Sequence, residues 1–285
     1  MSVYRVPLRV SFTGIATDTP RRIGYHTGAS ICSTINKYVR VQITTNNHEP
    51  PFVEPKCDLI DNFLARMPFS ADIPRMQIRW ESDIPLGSGL GGSSALLVAV
   101  AMHFFHNPVY QAAMVGRVEI ERGAGWQDGA ICAFGGCRMF SFRHDGFELM
   151  ESFKPPHYID FMLISTNQTH DTAEQYKNIF NFTSSDIEDN MDRVKAFGRA
   201  LRDNDLDTLG NLLNETYEIK SRLRNYATPE MDSFYREAMI GAYGGKIMGS
   251  GGGGHFIFVI DAEDRKRLRK PARSYGYSEV DFRFI

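Results

Sequence analysis

The run Asp83-Ile84-Pro85-Leu86-Gly87-Ser88-Gly89-Leu90-Gly91-Gly92-Ser93-Ser94-Ala95 constrains this chain more than any other segment. It sets four glycines and three serines between a strand-like stretch, 76–80, and a helix-like one, 93–105. Glycine admits positive φ and lets backbone approach a ligand closely, while the free N–H groups and dipole at a helix start favour an anion. The segment therefore reads as a phosphate cradle formed by Pro85, Gly87, Ser88, Gly89, Leu90, Gly91, Gly92, Ser93 and Ser94. Its serine hydroxyls suit phosphate oxygens or a magnesium ion riding on them. A flexible turn capped by serine is the plainer reading, and the strand–loop–helix context speaks against it. The run has no Walker lysine.

The remainder of the chain limits what such a cradle serves. With 285 residues it has room for one large or two moderate domains. A net charge of −2, with 23% charged residues, argues against a dedicated nucleic-acid or anionic-membrane binder and for a small-molecule partner. The longest nearly apolar run, 95–105, is too short to cross a bilayer and contains His103. The first residues lack a charged leader followed by a hydrophobic stretch, so a cytoplasmic location is expected. Cys32, Cys57, Cys132 and Cys137 have neither metal-site spacing nor disulfide-scaffold density, and read as buried reduced thiols.

Period-two and β-branched patterns predict strands at 3–12, 38–44 and 76–80, with a helix at 57–67 between the last two. Helices follow at 93–105 and 109–122, parted at Asn107-Pro108, then a hairpin, 137–142 and 147–153, around Asp145-Gly146. Lys154-Pro155-Pro156-His157 interrupts both helix and sheet and divides the chain into an N-terminal ATP-binding lobe, 1–154, and a C-terminal lobe, 155–285. Beyond it come a strand at 158–165, three or four helices within 171–243 (the clearest at 205–223), a strand at 255–260, a basic helix at 262–273 and a last strand at 279–284. This mixed order indicates α+β layers rather than a doubly wound parallel sheet. His103 and His106 share the expected helix face, yet read as core or surface histidines rather than a metal pair.

The motif P-x-G-x-G-L-G-x-S-S-A in 85–95 resembles the GHMP kinase family, named for galactokinase, homoserine, mevalonate and phosphomevalonate kinases. Two further segments match in order: Arg5-Val6-Pro7-Leu8-Arg9-Val10-Ser11-Phe12 with Gly14 and Thr17-Asp18, and Lys246-Ile247-Met248-Gly249-Ser250-Gly251-Gly252-Gly253-Gly254. Within the family the likeness is closest to bacterial D-glycero-D-manno-heptose 7-phosphate kinases, carried by 5–12, 17–20, 35–39 and Ile120-Glu121-Arg122 before Gln127-Asp128. The resemblance implies a two-lobe fold, with a ribosomal-protein-S5-like N-terminal lobe and a ferredoxin-like C-terminal lobe. It also implies ATP with Mg2+ as cofactors and phosphoryl transfer to a hydroxyl of a small acceptor, a sugar or sugar phosphate, at the anomeric position if the heptose likeness holds.

The resemblance also assigns roles. Asp128 matches the acceptor base, with a cap on a helix starting near Ala130 as its alternative. Arg9 matches a basic residue near the transferred phosphoryl, placed to favour anionic charge and keep Asp128 ionised. Thr17 and Asp18 match the acceptor site, where a carboxylate accepts sugar hydroxyls, and Gly251 and Gly252 lie beside it. Ser93, with Ser94 close behind, is the magnesium contact, and Glu121 its acidic partner, unless Glu121 forms a surface helix pair instead. Two departures from the heptose branch are Gly14-Ile15-Ala16 in place of a glycine run and a short segment between Glu121 and Asp128. They leave open a non-sugar alcohol as acceptor, or a nucleotide-binding regulator with weak catalysis. Monomer and homodimer are both compatible with the sequence.

Overall fold

Tyr4, Val6, Leu8 and Val10 repeat at the strand period, and strand β1 (Ser2–Ser11) buries the last three of them. A computed structural model describes residues 1–24, 26–45, 50–67, 76–169, 184–223 and 225–285, and in it β1 pairs antiparallel with β2 (Gly28–Thr45). Their register shifts between Pro7 and Arg9, next to a proline that has no N–H to offer the ladder. The 38–44 pattern is thus only the far end of an 18-residue strand. Its first half, rich in Ala, Ser, Cys and Thr, is buried on both faces and carries no alternation to read.

The first sheet has the order β3 (Phe52–Glu54), β4 (Met76–Ser82), β2, β5 (Cys137–Arg143), β6 (Gly146–Phe153), with β1 also on β2; among the described residues only β3 and β4 run parallel. The second sheet is antiparallel, in the order β10 (Ser278–Val280), β7 (Phe161–Ser165), β9 (His255–Val259), β8 (Gly244–Ile247). Strands on either side of the diproline segment thus build different sheets, and the fold is the α+β two-lobe arrangement.

The described helices are α1 (Pro20–Ile23), α2 (Asp58–Ala65), α3 (Gly92–Ala101), α4 (Pro108–Glu121), α5 (Gln127–Phe134), α6 (Ser184–Glu188), α7 (Asn190–Asp203), α8 (Leu206–Ser221), α9 (Pro229–Ala238) and α10 (Arg265–Ser274). Part of the helical signal expected from 171 onward lies outside the described residues. Helix α3 is apolar on every side and is buried almost throughout, as a central helix must be. It stops at Ala101, short of the expected 105, so His103 and His106 share no helix face; His103 instead meets the Tyr4 hydroxyl at 3.1 Å. Among the described residues no His, Cys, Asp and Glu cluster could hold a metal, and no helix is long and apolar enough to cross a membrane. Cys32, Cys132 and Cys137 are free and buried, whereas Cys57 is partly exposed. Burial pushes the Cys32 and Cys137 thiols up to about 12.

One aromatic core ties the lobes together. Phe12 is fully buried, with ring centroids 5.2 Å from Phe161 on β7, 5.2 Å from Phe197 on α7 and 5.6 Å from Phe284. The last strand is shorter than the sequence suggests. After Val280 the chain leaves the second sheet, and Phe284 bridges to Ile35 on β2 while the Ile285 N–H donates to the Thr34 carbonyl at 3.1 Å. Phe12→Ala is expected to cost about 3–5 kcal/mol of unfolding free energy in urea titrations. A loss below about 1 kcal/mol would remove Phe12 as the joint between the lobes.

Candidate active site

The turn between β4 and α3 holds its shape through backbone contacts that only glycine permits. Gly89 (φ 81°) and Gly91 (φ 73°) are left-handed. A Cβ on Gly89 would stand 2.8 Å from the Met248 carbonyl oxygen, and one on Gly91 2.9 Å from Arg9 Cγ. The Leu90 side chain is fully buried, and its carbonyl accepts from the Arg9 N–H at 3.0 Å. His255, itself 3% exposed, donates from Nδ1 to the Ser88 carbonyl at 2.8 Å. Ser88 and Leu90 are thus anchors and Pro85 lies at the surface, while Gly87, Gly89, Gly91, Gly92, Ser93 and Ser94 line a cavity at the start of α3.

Arg9 lies 3% exposed under this loop and makes a two-pronged contact with Asp128, Nε to Oδ1 at 2.7 Å and Nη2 to Oδ2 at 2.5 Å. Its Nη1 donates to the Gly89 carbonyl at 2.5 Å. Burial works against both charges, but the pairing reverses it: Arg9 is raised, and Asp128 is held below the usual carboxylate range by the charge and hydrogen bonds of Arg9. The Asp128 side chain keeps 29% of its surface open, on the cavity side. Helix α5 begins at Gln127, earlier than the expected Ala130, so Asp128 sits inside the first turn and not at a cap. Asp18 serves that turn instead: its carboxylate accepts from the Gln127 N–H at 3.2 Å and its carbonyl from the Trp126 N–H at 3.1 Å.

The structure does not bring Glu121 to the cavity. Its side chain is 53% exposed and pairs with Arg66 at 2.5 Å. Glu119 occupies the cavity wall, with Oε1 accepting from the Ser94 hydroxyl at 2.9 Å and Oε2 3.3 Å from Arg122. Burial raises its carboxyl, against the opposing pull of Arg122 and Ser94. Two residues along a helix is about 200° of rotation, so one of the two glutamates must face outward. Buried Ala112, Val115 and Gly116 put Glu119 on the inner face, and that periodicity was the available signal. From Glu119, eight residues precede Asp128, so the segment is less abbreviated than a count from Glu121 suggests.

Three other expected residues also turn away. Thr17 is 2% exposed, and its hydroxyl is bonded to the Ala29 backbone and to Asn190 Nδ2. Gly251 lies against the Tyr226 ring, and the Gly252 N–H donates to the Tyr226 carbonyl at 2.7 Å. From the third motif it is Lys246 on β8, Gly249 and Ser250 that reach the cavity, joined by Lys220 on α8; neither lysine has a role assigned from the sequence. Of the three residues that replace a glycine run, Ile15 is buried in the interior. Ala16, at φ 64°, presents only a methyl group to the cavity near Asp18.

The cavity wall carries a glycine cradle on a helix start, an ionised carboxylate held by arginine and a serine–glutamate pair, a combination suited to phosphoryl transfer. Comparison with known proteins agrees. Two family models match, GHMP kinases N terminal domain over residues 58–136 and GHMP kinases C terminal over residues 198–278. The chain is 26% identical to the D-glycero-alpha-D-manno-heptose 7-phosphate kinase of Campylobacter jejuni, over 98% of this chain and 95% of that one. Its fold is similar to a putative sugar kinase from Campylobacter jejuni (TM-score 0.74, 23% identity, 99% and 95% of the chains covered). It is likewise similar to Streptococcus pneumoniae phosphomevalonate kinase solved with phosphomevalonate and AMPPNP (TM-score 0.82, 16% identity, 100% of both chains).

Asp128→Asn leaves the Arg9 charge buried without its partner and is expected to lower stability by on the order of 3 kcal/mol at neutral pH. Because the folded carboxyl titrates below its unfolded value, the wild-type advantage persists above about pH 4 and shrinks as pH falls through the lower folded value. Urea titrations of both proteins from neutral to strongly acidic pH measure it. An advantage that stays constant throughout would show that the pairing does not set it.

Proposed function

The chain belongs to the GHMP kinase family, and from that premise we propose that it transfers the terminal phosphoryl group of ATP to a hydroxyl of a sugar or sugar phosphate bound beside Asp128. The carrying observation is that Arg9 holds Asp128 ionised within the same cavity that the glycine loop lines. The Campylobacter jejuni relative, a heptose 7-phosphate kinase by name, supports the sugar side of this reading.

The cradle fits a nucleotide on its own features: left-handed glycines without room for a Cβ, and a helix start with free N–H groups at Gly92, Ser93 and Ser94. Ser93, Ser94 and Glu119 offer the hard oxygen donors that magnesium takes. When bound, ATP supplies the phosphoryl group and magnesium offsets phosphate charge. The chain's own residues then orient and accept. The open edge of Asp128 takes a hydrogen bond from the acceptor hydroxyl and receives its proton as the oxygen–phosphorus bond forms. A carboxylate this weakly basic suits a loose transition state, in which the attacking oxygen loses its proton late. Arg9 keeps that carboxylate charged and fixes its distance from Gly89. Asp18, anchored on the first turn of α5, faces the acceptor side and suits a sugar hydroxyl.

Asp128→Asn is expected to reduce kcat by about 10²–10⁴-fold while retaining ATP binding, read by ADP release and by nucleotide titration. Unchanged turnover would take Asp128 out of the reaction. The acceptor is tested by ADP release across sugars, sugar phosphates, amino alcohols and isoprenoid acids. Stimulation confined to the last two groups would overturn the sugar reading. Glu119→Gln is expected to raise the magnesium concentration needed for half-maximal rate by about tenfold or more, with Glu121→Gln unchanged; the reverse pattern would return the metal role to Glu121.

A further inference from the structure

Two of the cations on the cavity wall are matched by carboxylates, Arg9 by Asp128 and Arg122 by Glu119. Lys246 is not. It is 1% exposed, lines the cavity from β8, and among the described residues makes neither a hydrogen bond nor an ion pair. A buried ammonium without an acceptor is an expensive arrangement, and a methionine would fill the same volume without that cost. Lys220 reaches the same wall from α8, donating to the Gly249 carbonyl and lying 5.0 Å from the Tyr226 ring centroid. Burial, and then the charges of Lys220 and Arg9, lower the Lys246 pKa well below the ordinary lysine value.

The two lysines share a wall because helix and strand meet without side chains between them. A Cβ on Gly244 would stand 2.0 Å from the Gly210 carbonyl oxygen, and one on Gly210 2.4 Å from the Tyr243 carbonyl carbon. An ammonium on Lys246 is disfavoured by the positive charges of Lys220 and Arg9, and an anion seated against it offsets that repulsion. A phosphate monoester carries about two negative charges at neutral pH, and lysine binds phosphate as a point charge. The cradle for the nucleotide is on the other lobe, at the start of α3, whereas Lys246 lies within electrostatic reach of Arg9 and Asp128, where the acceptor hydroxyl is placed.

We propose that Lys246 and Lys220 form a phosphate subsite on the C-terminal wall of the cavity, and that it takes a phosphate ester already present on the acceptor. The acceptor half of this proposal rests on the kinase reading above; the subsite itself rests on the placement of Lys246.

Calorimetric titration of inorganic phosphate into the full chain, saturated with magnesium and a non-hydrolysable ATP analogue, tests it. Phosphate is expected to bind. Lys246→Met is expected to weaken phosphate by about tenfold or more, leave analogue affinity within about twofold, and not lower Tm. Should that variant fail to fold, Lys246→Gln gives the same reading. Equal phosphate affinity in the variant overturns the subsite. Phosphate binding that disappears once the analogue is present reassigns it to the nucleotide's terminal phosphate and overturns the acceptor assignment. Failure of the analogue to bind would instead count against the nucleotide reading, while phosphate titration of the free protein still decides the subsite.

Discussion

The buried guanidinium of Arg9 is the contact on which the site depends. An ion taken out of water must find its partners inside the protein, and Arg9, carried by β1, finds them on two other elements at once: α5 supplies Asp128, and the glycine loop supplies the Gly89 carbonyl. Its planar fork fixes directions as well as distances, which lysine could not do. The position of the carboxylate relative to the glycine loop is therefore set by one rigid group, and the cost of burying that group is offset only when both neighbours are in place.

Glycine plays the corresponding role between the lobes. Where Gly89 faces Met248, and Gly254 faces the Ser88 carbonyl, backbone packs on backbone and side chains are excluded. The glycines of the third motif thus stiffen the glycine loop from behind more than they open a path into the cavity. This accounts for Gly251 and Gly252 meeting Tyr226 rather than the cavity. His255 adds a polar fastening at the same seam.

Much of this arrangement was legible in the sequence. The alternation in β1, the Asp145-Gly146 hairpin, the strand–loop–helix setting of the glycine run and the mixed element order each follow from local periodicity, and together they indicated the fold class. What stayed hidden depends on tertiary contact. The first half of β2 is buried on both faces and so has no alternation. Helix α3 ends four residues early although its apolar run continues. Glu119 and Glu121 differ only in which face of α4 meets the core; the family pattern drew attention to the second, while the buried neighbours of the first decide the matter. Lys246 opened a recognised motif, but nothing local distinguishes a lysine that is buried and unpaired from one that is solvated.

The return of residues 284–285 to β2 has a consequence for the order of assembly. The pocket around Phe12 is closed by Phe284, a residue very distant from it in sequence. During synthesis from the N-terminus, the first sheet must therefore wait with an aromatic gap in its interior until residue 284 has emerged. Contacts this distant in sequence slow folding, and they make the lobes finish together.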